Sequence, residues 1–359
     1  MKVVKIINSL HFGGIEKVFE IVARYYEGDK QDLVFVAIGA GGATAAAIRE
    51  MGYKVVVLDR VTRIPNMGIV SRLVSLLRKE KPDAVHTTGA EANFHGLLAA
   101  FIVGVPVRVA EEIGMPAHSK RAKWVFRQVY RLSTKVIGVA GMVGDFLVES
   151  GEVPGHKMEV IYNPVDTDAF SNITKEWTDP VFRIVVVCRL DPIKNLPFLL
   201  DGFKDLLAAS DRDRLALDIV GDGGERGALE DLALRLRIAD RVTFHGYQER
   251  PARFFERASL FVLPSLSEGL PVSLIEAMLT GTLCIATKNG GPVEFIREGE
   301  NGWLIDPHDR EAFVLLLKDV VRLPLQERRD IAEKGRAMAQ GRFNPPQYLE
   351  RVNQLYQSK

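Results

Sequence analysis

Short apolar runs and longer amphipathic stretches alternate along this chain from its first residues. Val3 to Ile7, Leu33 to Ile38, Lys54 to Leu58, Ala84 to His86, Val107 to Ala110 and Lys135 to Val139 have the length and β-branched content of buried strands. Between them, Ile15 to Tyr26, Ala43 to Met51, Gly68 to Glu80, Ala92 to Val103 and Met142 to Ser150 repeat apolar residues at helical spacing. Val160 to Tyr162 then leads into Asn163-Pro164-Val165-Asp166, a turn-rich segment that reads as an interdomain hinge. Beyond it the plan starts again. Phe182 to Cys188, Ala216 to Val220, Val242 to Phe244, Leu260 to Pro264, Leu283 to Ala286 and Gly302 to Ile305 read as strands. Helices are expected over Asn195 to Ala208, Glu225 to Arg235, Arg250 to Arg257 and Pro292 to Arg297, and from Arg310 onward.

Strands separated by helices of this length mean right-handed βαβ units and parallel sheets. The pattern therefore predicts an α/β chain of two doubly wound, Rossmann-like domains, residues 1–165 and 166–342, facing a central cleft where the carboxyl ends of the strands meet. Residues 343–359, with Tyr348, Val352, Leu355 and Tyr356, read as a last amphipathic helix expected to pack back toward the N-terminal domain. Length agrees, since 359 residues exceed the roughly 250 to 300 at which a single core stops growing.

Charge changes the picture at one place. The net charge of +1 gives no global attraction to nucleic acid or anionic lipid, yet Lys120, Arg121, Lys123, Arg127 and Arg131 lie between His118 and Lys135 with no acid among them. At helical spacing Lys120, Lys123, Arg127 and Arg131 share one face, and Val125, Val129, Leu132 and Val136 recur on another. Trp124 and Tyr130 suit a membrane interface, so the segment reads as a basic amphipathic helix for an anionic membrane surface, with a solvated face as the alternative. No stretch approaches the roughly 20 apolar residues of a bilayer span, and MKVVKIINSL is too short for a signal peptide. Cys188 and Cys284 each sit in an apolar run and read as small buried hydrophobes. The expected place is the cytoplasm, peripheral at the inner membrane face; no nucleic-acid partner is expected.

The most informative stretch is Ser265 to Gly281, SLSEGLPVSLIEAMLTG. It follows a strand and opens a helix with Pro271 in the first turn, so its polar loop hangs at the carboxyl end of a parallel sheet. Glu268 lies in the loop and Glu276 in the helix. The free N–H groups of Gly269, Leu270, Val272 and Ser273 point between them, a setting for an anion that carries hydroxyl groups.

Further motifs stand before this one in fixed order. They are Val187-Cys188-Arg189-Leu190 followed by Lys194-Asn195, then Gly221-Asp222-Gly223, then Phe244-His245-Gly246. Together with Glu268 and Glu276 in an E-x7-E spacing, they resemble the retaining glycosyltransferases of the GT-B fold, glycosyltransferase family 4. The resemblance implies that Arg189 and Lys194 grip the donor diphosphate. It implies that Gly221, Gly223 and Gly246 let the main chain approach the base, and that Glu276 takes the ribose hydroxyls. Glu268 then takes a sugar hydroxyl, with Gly269, Leu270 and Pro271 forming the turn whose N–H groups meet phosphate or sugar.

In the first half, Gly13 and Gly14 occupy the family's first loop, beside diphosphate and acceptor. His86 stands where the family often carries His-x-His, but Thr88 replaces the second histidine, which leaves His86, His95 and His118 as candidates for the sugar site. Glu111 and Glu112 are candidates to orient or deprotonate an acceptor hydroxyl.

The implied activity is metal-independent, retaining transfer of a sugar from a UDP- or GDP-type donor to a saccharide or lipid-linked saccharide, as in surface-polysaccharide or glycolipid assembly. No cofactor is expected, since the nucleotide sugar is a substrate. No Asp-x-Asp stands at a strand end and no His/Cys cluster has ligand spacing, so no metal is expected. Two other readings fit a doubly wound chain. A dinucleotide-dependent oxidoreductase lacks support because His-Phe-Gly-Gly stands where Gly-x-Gly-x-x-Gly is required after Ile7. A non-catalytic sugar-binding module would need neither Arg189 nor Lys194.

Overall fold

Valine, isoleucine and leucine fill the strand positions almost without polar alternation, and such runs are buried on both faces of a parallel sheet. The computed structural model describes residues 1–357 except 12, 117, 172, 174, 176, 178, 211–213, 249 and 250. It separates into two compact units, Met1–Val165 with Pro345–Lys359, and Asp166–Asn344. Phe12 of the first glycine turn and Arg250 at the start of one expected helix lie outside the described residues.

The first unit is a seven-stranded sheet in the order β3-β2-β1-β4-β5-β6-β7, every pair parallel. Its strands are β1 Val3–Ile7, β2 Leu33–Ala37, β3 Lys54–Val57, β4 Ala84–Thr88, β5 Val107–Glu112, β6 Lys135–Gly138 and β7 Met158–Val160. Helices α1 Gly14–Tyr25, α2 Ala43–Glu50, α3 Met67–Glu80, α4 Ala90–Val103, α5 Lys120–Arg131 and α6 Gly141–Glu149 connect them. Val4, Ile6, Val34 and Val36 point to one face, in a core with Leu73 and Leu77 of α3 and Ala99 of α4. Val3, Ile7, Leu33 and Phe35 point to the other, where they meet Phe19 and Val22 of α1.

Only the far end of the chain completes that second face. Helix α14, Pro345–Gln357, presents Tyr348, Val352 and Tyr356 to it. Beneath α14 the apolar face is interrupted by a polar group. Lys5 of β1 is the register partner of His86 of β4. His86 Nδ1 accepts from the Tyr356 hydroxyl at 2.6 Å and from Lys5 Nζ at 3.1 Å, while its Nε2 donates to Glu111 Oε2 at 2.9 Å. Burial first, and the Lys5 charge second, hold the His86 pKa down at about 4 against the pull of Glu111, so the ring is neutral and can accept at Nδ1. Burial pushes the Glu111 carboxyl up, but the hydrogen bond from His86, the charge of Lys5 and the hydrogen bond from Thr88 outweigh it and hold it below its ordinary value. Each polar atom here is costly to orphan. Tyr356→Phe removes one donor from the buried ring and is expected to cost about 1–2 kcal/mol, read by chemical denaturation.

The second unit is a six-stranded parallel sheet, β10-β9-β8-β11-β12-β13. After the short helix α7 Asp168–Ser171 come β8 Phe182–Val187, α8 Leu196–Ala208, β9 Leu215–Val220, α9 Arg226–Arg235 and β10 Val242–Gly246. Then follow α10 Ala252–Arg257, β11 Leu260–Leu263, α11 Val272–Leu279, β12 Leu283–Thr287, β13 Trp303–Ile305, α12 Arg310–Arg322 and α13 Leu325–Arg342. Its core gathers Ile184, Val186, Leu217 and Ile219 of the sheet with Leu199, Phe203 and Leu206 of α8 and Phe313 of α12.

Several boundaries differ from the sequence expectation. Strand β4 runs on through Thr87 and Thr88, both β-branched, so His86 is its central residue instead of its end. Strand β5 runs through Glu111 and Glu112, whose carboxylates find buried partners and therefore do not mark the strand's edge. The expected helix Pro292 to Arg297 is a 3-10 turn, Gly291–Glu294. Pro271 sits just before α11, at its N-cap, and not in the first turn.

Candidate functional site

In the second unit the chain runs from β8 outward to β9 and β10 on one side, and to β11, β12 and β13 on the other. The order reverses between β8 and β11, and in open parallel sheets the crevice beyond the carboxyl ends of the two strands at such a point is where ligands bind. The loops after β8 and β11 carry Lys194 and Glu268.

After β8 the chain makes a 3-10 turn, Pro192–Lys194, closed by Asn195 at φ 53°, ψ 37°. Asparagine tolerates that left-handed conformation, and its side chain is held by the carbonyl of Pro307 at 3.1 Å. Lys194 Nζ thereby reaches Glu268 Oε1 at 2.6 Å, with the two side chains only 17% and 11% exposed. The turn and the loop are also joined through the main chain, Leu266 N–H donating to Ile193 O at 2.8 Å.

Contacts from the strand-end segment after β12 hold the Glu268 loop from its other side. Gly291 N–H donates to Glu268 O at 3.0 Å, and Asn289 Nδ2 donates to Leu266 O at 3.1 Å. A Cβ on Gly290 would lie 1.8 Å from Glu268 O and one on Gly291 1.9 Å from Gly269 O. The sequence reading missed Gly290 and Gly291, although a glycine pair directly after an apolar strand is a signal of close backbone approach. Gly221 and Gly223 have the same cause: their Cβ positions fall 1.8 Å from Cys188 O and 2.5 Å from Leu190 O. Close approach of the chain's own backbone therefore requires glycine at both positions. Gly246, at φ 68°, accepts from Gly221 N–H at 2.9 Å and so continues the same contact.

Among the described residues, Gly269 and Leu270 N–H donate to no main-chain oxygen, and Val272 and Ser273 open α11, where N–H groups lack intrahelical acceptors. Glu276 is buried on α11, one turn in. Arg189, five residues before Lys194, points to another partner. Its side chain is 80% exposed and pairs with Asp191 at 3.1 Å. Burial pushes the neighbouring Cys188 thiol up to about 12, which leaves it inert as a nucleophile.

In the first unit, each candidate histidine has a partner within the unit. His86 is fully buried beneath α14. His95 accepts from Asn66 N–H at 3.2 Å and donates to Glu91 O at 2.7 Å. His118 pairs with Glu152 at 2.8 Å and stacks on Phe126 with centroids 4.3 Å apart. Gly13 caps α1 and Gly14 begins it. Glu111 belongs to the His86 group, at 1% exposure too deep for an acceptor.

Glu112 is buried under α5, where its Oε1 accepts from the Tyr130 hydroxyl at 2.5 Å and from Asn93 Nδ2 at 2.6 Å. Tyr130 is thus a core residue and not an interfacial one. Burial, opposed by these two donors and reinforced by Glu152 and Glu111, raises the Glu112 pKa to about 7. With a folded pKa above the unfolded one, the folded state holds the extra proton, so this group's contribution to stability is lost as pH rises from about 4.5 to 7. Glutamine keeps the Oε1 acceptor and has no proton to lose. Glu112→Gln is expected to match the parent near pH 5 and to melt several degrees higher at pH 8, by thermal denaturation at both pH values.

With the geometry in place, two family models account for most of the chain. The model described as Glycosyl transferases group 1 matches residues 172–338, and Glycosyltransferase Family 4 matches residues 12–169. The chain is a glycosyltransferase of the GT-B fold. This glycosyltransferase is 27% identical to the lipopolysaccharide core biosynthesis glycosyltransferase LpsE of Rhizobium meliloti, over 98% of this chain and 99% of that one. It is 26% identical to the UDP-Gal:alpha-D-GlcNAc-diphosphoundecaprenol alpha-1,3-galactosyltransferase of Escherichia coli, over 82% and 80% of the two chains. Among solved structures, HepE of Anabaena in complex with UDP matches the glycosyltransferase with a TM-score of 0.84, at 21% identity and 99% coverage of both chains.

Proposed function

We propose that this glycosyltransferase moves a sugar, with retention of configuration, from a nucleoside diphosphate sugar to a saccharide or lipid-linked saccharide. The observation that carries the reading is the Lys194–Glu268 pair at the β8/β11 switch point. A part-buried cation and a carboxylate lie side by side there, next to N–H groups at the start of α11. A departing diphosphate gathers negative charge, and a fixed ammonium and main-chain donors stabilise it. Glu268 takes a sugar hydroxyl and Glu276 the ribose hydroxyls. Arg189, on its exposed loop, turns from Asp191 to the diphosphate. UDP in the HepE complex and a UDP-galactose donor in the name of the Escherichia coli relative support a uridine diphosphate sugar. That relative's diphosphoundecaprenol acceptor, and the lipopolysaccharide core work of LpsE, support a surface-glycan acceptor.

The cation and the N–H groups supply the positive field that a metal would otherwise give, so transfer proceeds without one. EDTA is expected to leave the rate unchanged. The direct test is a thermal-shift panel of UDP- and GDP-sugars with NAD as control. Stabilisation by a UDP-sugar and not by NAD supports the reading, and the reverse removes it.

Helix α5 adds a membrane clause. Lys120, Arg121, Arg127 and Arg131 are exposed, Trp124 is 65% exposed among them, and Ile113 and Met115 are exposed on the preceding loop. A basic face with apolar side chains suits an anionic bilayer surface, and no helix among the described residues is long and apolar enough to cross a membrane. Greater co-sedimentation with anionic than with neutral liposomes is expected, and equal co-sedimentation sinks the clause.

A further inference from the structure

We propose that Ser265 is a positioning residue for Glu268, fixing which carboxylate oxygen faces the donor sugar; this rests on the reading of the β8/β11 site as a nucleotide-sugar site. Ser265 is the second residue beyond β11 and is wholly buried. Its hydroxyl donates to Glu268 Oε1 at 2.6 Å. Lys194 Nζ reaches the same oxygen, also at 2.6 Å, and neither donor reaches Oε2. The carboxylate is therefore held by one oxygen with the other left for a hydroxyl.

The two donors differ in how firmly they are held. Ser265 is anchored through its own carbonyl, which accepts from the Thr287 hydroxyl at 2.6 Å, and Thr287 ends β12 with none of its surface exposed. The next residue is tied to Ile193 O, and the Glu268 main chain is tied to Gly291. A serine fixed at this many points has one proton to give and one place to give it. Lys194 sits at the end of a long side chain, and an arriving diphosphate offers it a stronger acceptor than a single carboxylate. As Lys194 turns to the phosphates, Ser265 is the partner that stays and keeps Glu268 from following. A group held by a short, buried hydrogen bond keeps its geometry through the reaction.

The test is a double-mutant cycle with Ser265→Ala, Glu268→Ala and the double variant, read by donor kinetics and by chemical denaturation. Ser265→Ala is expected to lower kcat by about 10- to 100-fold, with donor KM within about threefold of wild type because the diphosphate is held elsewhere. In the Glu268→Ala background the same change is expected to cost less than about threefold in kcat, since the group it positions is gone. An equal loss in both backgrounds, or a loss wholly in KM, overturns the assignment. A wild-type protein that turns over no nucleoside diphosphate sugar removes the functional reading instead. The unfolding equilibria then decide on Ser265: coupling between positions 265 and 268 below about threefold overturns the assignment as well.

Discussion

Lys194→Ala is expected to lower turnover of a nucleoside diphosphate sugar by about a hundred- to a thousandfold, the usual loss when one donor to developing negative charge is removed. The effect is large because of where the amine sits. It is mostly buried against Glu268, at the strand-order reversal, with the turn that carries it pinned by Asn195 and by Leu266 N–H. Removing it also leaves the Glu268 carboxylate with Ser265 as its remaining neighbour of the two, so a fall in stability accompanies the fall in rate. The two effects separate experimentally. Lys194→Met fills the space without the charge; steady-state kinetics beside a denaturation curve should show a turnover as low as that of Lys194→Ala. A turnover near wild type in either variant would take Lys194 out of the chemistry.

Gly290→Ala is expected to disable the site from behind the Glu268 loop, at a residue given no contact with substrate. Gly290 has φ +88°, which side chains other than glycine's rarely adopt, and a Cβ there would stand 1.8 Å from Glu268 O. Both obstacles are backbone, so no rotamer change relieves them. Either the Glu268 loop moves, or the segment after β12 does, and in both cases the Gly291 N–H bond to Glu268 O breaks. The expected outcome is a loss of UDP-induced thermal stabilisation together with a melting temperature several degrees lower. Gly224→Ala, where a Cβ meets nothing within 4 Å, is the matched control and should behave as wild type.

These two cases show which parts of the site are legible in a sequence. Glu268, Glu276 and Lys194 are singled out in the sequence by their order and spacing around Gly221-Asp222-Gly223 and Phe244-His245-Gly246, and the fold sets Lys194 against Glu268. Gly290 and Gly291 do not, since what they meet is a carbonyl some twenty residues away that only the folded sheet brings near. Most of the strand pattern is readable, because parallel strands buried on both faces are apolar without interruption. It failed where a strand carries polar residues. His86, Glu111 and Glu112 read as the edge of a cleft, yet each is a buried strand residue with its partners supplied by Lys5, Tyr356, Tyr130 and Asn93. Those partners come from four other elements, two of them distant in the chain, and no local pattern announces them. For α5 the basic positions were legible, but Tyr130 joins the core because Glu112 waits beneath it.

The placement of α14 has a consequence for how the protein comes to be folded. Lys5, His86 and Glu111 are covered by a helix that lies on the far side of the whole second unit in the chain. A nascent chain that has emerged only as far as residue 165 has every strand of the first sheet, yet it leaves a lysine, a histidine and a carboxylate on a wet apolar surface. The earliest unit to be synthesised is thus the last to be sealed, and its closure waits on the residues that leave the ribosome after all of the other unit.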